Sequence, residues 1–446
     1  MKNILIVGAG RSSSSLIDYL LKKGSEERWL ITIADSDEET AKRKIESYKN
    51  AKAVFVDVFD SDSRENLIAA ADLVVSMLPA HLHPILANEC LKFRNHFLTA
   101  SYVSPEMELL RDKAREAKLV FLNECGLDPG IDHMTAMKAI NEIRKKGGKL
   151  LSFKSYTGGL IAPESDDNPW HYKFTWNPRN VVLAGQGSAA KFIMKGQYKY
   201  IPYHKLFSRY EAIDIDGLGT FEGYPNRDSL NYRTVYGLEG IPTMIRGTLR
   251  NSGFCDSWDV FVQLGMTDDT YKIENSEMMS HREFTNSFLK YNVVEKVEDK
   301  LCRYLNINHD SEIFHRLHWL GLFSDLPLSV KNASPAAILQ SILEKKWALK
   351  QGDKDMVVMQ HLIEYELGGK TFELKSSIIS KGDDEIQTAM SKTVGWPLAI
   401  ATKMILNGQI QERGVLVPTT QDIYMPILDE LKEMGIEFIE EEREIE

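Results

Sequence analysis

Short apolar runs recur through the first 125 residues at 4–7, 30–34, 53–56, 73–78, 96–100 and 119–122. Each is β-rich without strict apolar–polar alternation, the pattern of parallel strands covered on both faces. The segments between them carry helical spacing, as in Leu16-Ile17 followed by Leu20-Leu21, and Leu109-Leu110 followed by Ala114 and Ala117. Six such repeats predict an α/β fold, a Rossmann-type doubly wound parallel sheet that holds ligands at the carboxyl ends of its strands.

The pattern changes after Ile131. A helix over 133–146 leads through Gly147-Gly148 into a stretch punctuated by Pro163, Pro169, Pro178 and Pro225, with β-prone runs at 153–157, 181–183 and 213–215. This predicts a second, α+β domain for substrate binding and dimerisation. Residues 280–350 read as largely helical, and 356–367 with 370–379 as a hairpin turning at Gly368-Gly369. A helix over 388–407 tolerates Pro397, and a helix at 427–434 precedes a strand at 436–439. These last elements are expected to return to the first domain. The expected division is therefore 1–130 plus about 390–446 for the dinucleotide domain and 131–389 for the substrate domain. The acidic run 440–446 reads as a solvated terminus.

Composition narrows the class. The 446 residues are 43% hydrophobic and 26% charged, ordinary for a globular chain, and the net charge of −10 argues against a general affinity for nucleic acid or an anionic membrane. Four cysteines, none at metal-ligand spacing, suit a reducing compartment rather than a disulfide framework. No apolar run has the length of a signal-peptide core or a membrane span, so the expected address is the cytoplasm.

Gly8-Ala9-Gly10-Arg11-Ser12-Ser13 follows the first strand and opens a helix. The two glycines permit a tight turn and close approach of a pyrophosphate to the helix N-terminus, with Ser13 in place of the third glycine. The second strand ends at Asp35, suited to the adenosine ribose hydroxyls, the third at Asp57-Val58 near the adenine, and the fourth at Ser76-Met77-Leu78 near the nicotinamide ribose. His81 and His83 read as loop residues rather than a metal pair, for want of a third ligand. Cys125 reads as packed rather than nucleophilic.

Three further segments are richer in polar residues and glycine than a core requires. They are Thr99-Ala100-Ser101-Tyr102-Val103-Ser104-Pro105, the stretch from Asn123 through Gly126-Leu127-Asp128-Pro129-Gly130 to His133, and the pair Tyr224-Pro225-Asn226-Arg227-Asp228-Ser229 with Arg246-Gly247-Thr248-Leu249-Arg250. With Gly158-Gly159, Pro163-Glu164 and 168–176, their order and spacing resemble the saccharopine reductase family, the glutamate-forming saccharopine dehydrogenases of lysine metabolism. The resemblance runs from residue 1 to about 265.

That resemblance implies NAD(P)-dependent, reversible oxidation of the secondary amine of saccharopine to 2-aminoadipate 6-semialdehyde and glutamate. It implies substrate contacts from Ser101, Tyr102, Asp128, Arg227, Thr248, Leu249 and Arg250, with Asp128 and Tyr102 as the proton-transfer candidates. It extends the cofactor set to Ser101, Leu127, Asp128, Pro129 and Asn177, with no metal. Family members commonly carry a cysteine where this chain has Thr157, which removes any acid–base role for a thiol there. Asp128 before Pro129-Gly130 has a second reading as a helix cap, and Arg227 beside Asp228 as a surface ion pair.

Two other readings stay open: a carboxynorspermidine dehydrogenase-like reductive amination enzyme, and a non-catalytic dinucleotide-binding protein. The expected cofactor is NAD, with NADP possible. Relatives tend to place an arginine just after the second strand, whereas Ala34-Asp35-Ser36-Asp37-Glu38-Glu39 has no cation before Lys42, leaving only Arg11 to favour a 2′-phosphate. The expected partners are an amino-acid substrate and, by default, a second copy in a homodimer.

Overall fold

Six short strands, β1 (Lys2–Val7), β2 (Trp29–Asp35), β3 (Ala51–Phe55), β4 (Leu73–Ser76), β5 (His96–Thr99) and β6 (Val120–Leu122), lie side by side in the order β3-β2-β1-β4-β5-β6. All the pairings are parallel, and the strand Gly414–Leu416 adds itself parallel beyond β6. This is the Rossmann strand order, with the reversal between β1 and β4 that opens a ligand crevice at the carboxyl ends. Register sets the floor of that crevice: Val7 pairs with Ser76, and Ser76 with Thr99, so β1, β4 and β5 end level.

The computed structural model describes residues 2–45 and 48–445. The chain divides into two units, Met1–Lys149 with Tyr365–Phe372 and Ser376–Glu446, and Leu150–Glu364 with Glu373–Lys375. In the first unit the returning helix Ala389–Leu406 packs on the helix Ser14–Glu27 that follows the glycine turn. A glycine makes the approach possible, because a Cβ on Gly395 would lie 2.6 Å from the Leu16 backbone nitrogen. Hydroxyls finish the seam: Ser391 Oγ accepts from the Ser15 amide at 2.8 Å and donates to Ser15 Oγ at 2.9 Å. Farther along, Glu430 takes hydrogen bonds from Tyr19 and Lys403.

The second unit is a mixed sheet with helices. Its strands β7 (Lys149–Ile161), β8 (Ala190–Met194), β9 (Gln197–Ile201), β10 (Glu211–Ile215), β11 (Gly219–Pro225), β12 (Thr243–Asn251) and β13 (Asp355–Leu367, as far as Glu364) run in the order β10-β11-β12-β7-β13. The β8–β9 hairpin lies against β12. β12 is antiparallel to β11 and parallel to β7. The core beside it is aromatic, with Trp170, Trp258 and Trp347 fully buried and Trp170 stacked on Phe261 at 5.7 Å. Helices His281–Ser287, Val297–Leu305, Glu312–Trp319 and Pro335–Lys346 occupy the 280–350 region.

One local expectation needs correction, and another gains detail. Residues 181–183 are helical rather than β, because Asn177 accepts the Arg179 amide and Pro178 pre-sets the first turn of the helix Pro178–Leu183. The acidic end, expected as a solvated terminus, is exposed but ordered, since Ile439–Ile445 is a strand. Glu440 pairs with Lys138 at 3.0 Å and Glu444 with Lys370 at 2.9 Å, while Tyr365 donates to Glu442. Cations and a phenol around these carboxylates offset the repulsion that would otherwise keep the run extended in solvent. Glu446 lies outside the described residues. Lys370 opens β14 (Lys370–Lys381), which follows β13 through Gly368 and Gly369, both at positive φ (60° and 80°) as a two-residue hairpin turn demands.

Candidate active site

The glycine turn is built for a close-lying ligand. Gly8 holds φ 105°, and a Cβ there would stand 3.0 Å from the Met77 carbonyl, so only glycine fits between β1 and the end of β4. A Cβ on Gly10 would meet nothing within 4 Å, which leaves open space over the turn where a pyrophosphate can approach. Ser13 is buried and donates to the Gly10 carbonyl at 2.8 Å, so the residue replacing the third glycine braces the turn. Arg11 is exposed and Ser12 half-buried beside it.

Asp35 ends β2 with its carboxylate on the same turn, accepting the Ala9 amide at 2.6 Å and the Asp37 amide at 2.8 Å. Lys44, which sequence reasoning passed over, donates to the Gly10 carbonyl at 2.7 Å and to the Ser13 and Ser14 hydroxyls at 3.0 Å each. Burial pulls its pKa down to about 8, against the attraction of Asp35. Val58 is buried behind Asp57, whose carboxylate turns back to the Phe59 amide at 2.9 Å. Met77 stays on the sheet through its amide to the Val7 carbonyl, and Leu78 follows. Open glycine turn, helix N-terminus and ribose-side carboxylate together fit a dinucleotide.

His83 is not a loop residue. It opens the helix His83–Phe93, is 3% exposed, and spans the ends of two strands. Its Nδ1 lies 2.8 Å from Ser76 Oγ, and its Nε2 lies 2.7 Å from Ser101 Oγ and 3.1 Å from Thr99 Oγ1. Burial, helped by the positive field of His81, drops its pKa to about 4 and keeps the ring neutral. Among the described residues no group of histidine, cysteine and carboxylate side chains could hold a metal ion.

The segment after β6 forms the next wall. Glu124, at φ 56°, accepts the Val103 amide at 2.9 Å through one oxygen and faces His133 Nε2 at 2.9 Å through the other. It thereby ties the Ser101–Tyr102–Val103 stretch to the helix Ile131–Lys145. Gly130 (φ 147°) must be glycine, since a Cβ would stand 2.1 Å from the Gly126 carbonyl oxygen. On this frame Tyr102 donates to Asp128 at 3.1 Å. Gly130 is the cap residue of the helix, and its amide goes to Asp132 at 2.6 Å. Leu127 is buried and Pro129 completes the turn through its carbonyl to the Gly126 amide. Cys125 is fully buried, its thiol pKa pushed up by desolvation, so it is packing.

In the second unit, two guanidiniums lie buried or half-buried with no carboxylate beside them. Arg250 is 4% exposed, walled by the rings of Tyr172, Tyr224 and Phe254, and donates only to the Leu249 carbonyl, leaving Nε without a partner. Its register neighbour Glu222 is spent on the Gly253 and Cys255 amides. Arg227 donates through Nη2 to the carbonyls of Ala184 and Gln186 and leaves Nη1 buried and unpaired; Asp228 pairs instead with Lys191 at 2.9 Å. Thr248 pairs in register with Tyr224 on one side and Thr157 on the other, and the Thr157 hydroxyl is buried without a partner. Leu249 is wholly buried, so only its backbone is available, and Asn177 is the cap already described.

Comparison with known proteins gives the family. Residues 4–122 match the family described as the saccharopine dehydrogenase NADP binding domain, and residues 126–436 the saccharopine dehydrogenase C-terminal domain. The chain belongs to the saccharopine dehydrogenase family. Within that family it is 34% identical to the saccharopine dehydrogenase [NADP(+), L-glutamate-forming] of Schizosaccharomyces pombe, over 99% of both chains. It is also 34% identical to the alpha-aminoadipic semialdehyde synthase of Arabidopsis thaliana, a match that covers 98% of this chain but only 44% of that longer protein. The solved apo saccharopine dehydrogenase (L-Glu forming) of Saccharomyces cerevisiae superposes with a TM-score of 0.88 at 32% identity, covering 99% of this chain and 100% of that one.

For this saccharopine dehydrogenase relative, sequence reasoning missed His83 and Lys44. His83 carried one readable signal, the Pro84 that marks it as the first residue of a helix. Lys44 carried none, since its acceptors lie 30 to 34 positions away. Among the described residues no helix is long and apolar enough to cross a membrane.

Proposed function

We propose that this protein is an oxidoreductase that catalyses the reversible oxidation of saccharopine to 2-aminoadipate 6-semialdehyde and glutamate. The observation that carries the reading is the pair Arg227 and Arg250, each bonded to backbone carbonyls and each leaving one buried nitrogen, Nη1 of Arg227 and Nε of Arg250, without an acceptor. An unpaired buried guanidinium is costly, and a ligand carboxylate in bidentate contact relieves the cost. Two such groups suit a substrate with several carboxylates better than a polyamine such as carboxynorspermidine. The names of the full-length fungal relatives support the same reading.

A bound nicotinamide dinucleotide supplies the hydride acceptor. The second unit's part is binding: Arg227 and Arg250 hold carboxylates, and the Thr248 hydroxyl, which donates to Asn226 at 2.9 Å, is left to accept from the substrate. The first unit's part is positioning and proton transfer. Asp128, accepting from Tyr102, takes the proton from the substrate amine nitrogen, and the pair serves again when water adds to the imine carbon and the carbinolamine collapses. The buried Thr157 hydroxyl cannot replace a thiol as an acid–base group, but it can donate to a substrate oxygen. Ser101 offers a hydroxyl on the same wall as Tyr102.

The dinucleotide we propose is NAD, on the strength of Asp35 at the ribose end of the turn. The four cysteines, all buried and unpaired, suit a reducing compartment, in keeping with a cytoplasmic address. Saccharopine-dependent reduction of the dinucleotide by the purified chain tests the activity. Turnover of carboxynorspermidine but not saccharopine, or dinucleotide binding with no turnover, would defeat it.

A further inference from the structure

We propose that His83 is a positioning residue whose imidazole fixes the Ser101 hydroxyl as a hydrogen-bond donor toward a substrate carboxylate; this rests on the reading that Ser101 contacts the substrate. One ring touches three hydroxyls: Ser76 at the end of β4, its register partner Thr99 at the end of β5, and Ser101 just beyond. Ser76 and Thr99 are fully buried, whereas Ser101 is half-buried and keeps an open side. The ring itself is inaccessible, edge-on to Phe97 with centroids 6.3 Å apart. A histidine in so closed a place acts through its neighbours.

Counting protons fixes the direction of the hydrogen-bond chain. A carboxylate only accepts, so Ser101 must spend its proton outward and receive one at its oxygen. That oxygen is 2.7 Å from Nε2, which must then carry the ring proton. Nδ1 is left as the acceptor and takes the Ser76 proton over 2.8 Å. Thr99 Oγ1 accepts the Ser101 amide at 3.2 Å, holding the backbone in place while the ring sets the hydroxyl. The chain Ser76 to His83 to Ser101 is thus polarised one way, and each bond strengthens the next. A leucine in the same space would let the Ser101 proton turn inward to any local acceptor.

The two side-chain amides separate this role from packing. Glutamine places its NH2 near the position of Nε2 and can donate to Ser101, whereas asparagine reaches only the Nδ1 position and Ser76. We expect His83→Leu and His83→Asn to raise the saccharopine KM about tenfold, the scale of one hydrogen bond to a charged group. His83→Gln should restore most of that. The double variant His83→Leu/Ser101→Ala should bind saccharopine no worse than Ser101→Ala alone. If Ser101→Ala has wild-type kinetics, the substrate role of Ser101 fails and the inference with it. If Ser101→Ala is impaired but the His83 loss adds in full, or asparagine rescues as well as glutamine, the inference alone is overturned. Should the leucine variant melt early, the glutamine–asparagine contrast, combined with Ser101→Ala, still separates positioning from packing.

Discussion

Tyr102 Oη donates to Asp128 Oδ1 over 3.1 Å, joining the segment after β5 to the segment after β6 at the carboxyl edge of the parallel sheet. Both side chains reach solvent, Tyr102 to 46%, so the contact is not needed to fill a core. The N-cap position of the helix that follows belongs to Gly130, whose amide goes to Asp132. A partly exposed carboxylate that accepts a phenol hydrogen bond at the carboxyl edge of the sheet is suited to proton transfer.

Asp128→Asn is therefore expected to lower kcat about a hundredfold, the usual scale for a lost acid–base group, and Tyr102→Phe to have a smaller effect. Melting temperatures should stay near wild type. Intact turnover in Asp128→Asn, measured at saturating saccharopine, would take Asp128 out of the chemistry.

The guanidiniums of the second unit predict a split between stability and function. Arg250→Met and Arg227→Met should cost about 2–4 kcal/mol in kcat/KM, chiefly through KM. Yet the free enzyme should melt no lower, since each change removes a buried, unpaired charge in exchange for apolar volume. Dinucleotide affinity should be unaffected. A large fall in melting temperature with near-normal saccharopine kinetics would show that these arginines are structural.

The neutral state of His83 has a consequence for acid stability. In the unfolded chain the imidazole protonates near its ordinary 6.5, while in the folded protein it resists until about 4. Between those values the unfolded state binds more protons, so stability is complete above about 6.5 and drains away as the pH falls toward 4. Full loss is worth up to about 3 kcal/mol. Denaturant titrations from pH 7 to pH 4 should show a shallower decline for His83→Gln than for wild type. Parallel declines would mean that the ring is already charged in the folded protein.

What could be read from the sequence was what neighbouring residues decide. The parallel strands showed because runs such as Leu73–Ser76 are buried on both faces and so lack alternation. The glycine turn showed because Gly8 is required by local geometry and Gly10 keeps the space over the turn open. His83 did not show, because its partners Ser76 and Ser101 come from two other strand ends and meet only when the sheet assembles. The strand Ile439–Ile445 was hidden by its own charge, since nothing in Glu440-Glu441-Glu442 announces Lys138, Lys146 and Lys370. The unpaired state of Arg250 was equally illegible: Glu222, its register neighbour, is committed to two backbone amides instead.

The seam between the helices Ser14–Glu27 and Ala389–Leu406 makes the returning segment part of the nucleotide unit. Gly395→Val would drive a side chain into the Leu16 backbone and should cost about 1–3 kcal/mol as an overpacked contact. Because Ser14–Glu27 also carries the phosphate end of the turn, dinucleotide binding should weaken along with the melting temperature. Unchanged affinity in a destabilised variant would separate the seam from the turn.

Cofactor choice is the sharpest remaining test, because NAD is proposed for this chain whereas the names of fungal relatives carry NADP(+). After β2 it presents Asp35-Ser36-Asp37-Glu38-Glu39. Asp35 is held in place by the Ala9 and Asp37 amides, with its carboxylate at the turn where the adenosine ribose is expected. The nearby cations are largely committed: Lys42 pairs with Glu38 and Glu39, and Lys44 uses three acceptors of the glycine turn, as many as an ammonium has protons. Among the described residues Arg11 is exposed beside the turn, and it is the cation we expect to answer a 2′-phosphate. Two like charges about 4 Å apart are repelled by about 1 kcal/mol in water and about 4 kcal/mol near a protein surface. We therefore expect kcat/KM to favour NAD by at least about tenfold. Asp35→Ser should narrow that ratio by improving NADP, and Arg11→Ala should widen it. A wild-type preference for NADP that collapses in Arg11→Ala would show that the arginine outweighs the acidic cluster.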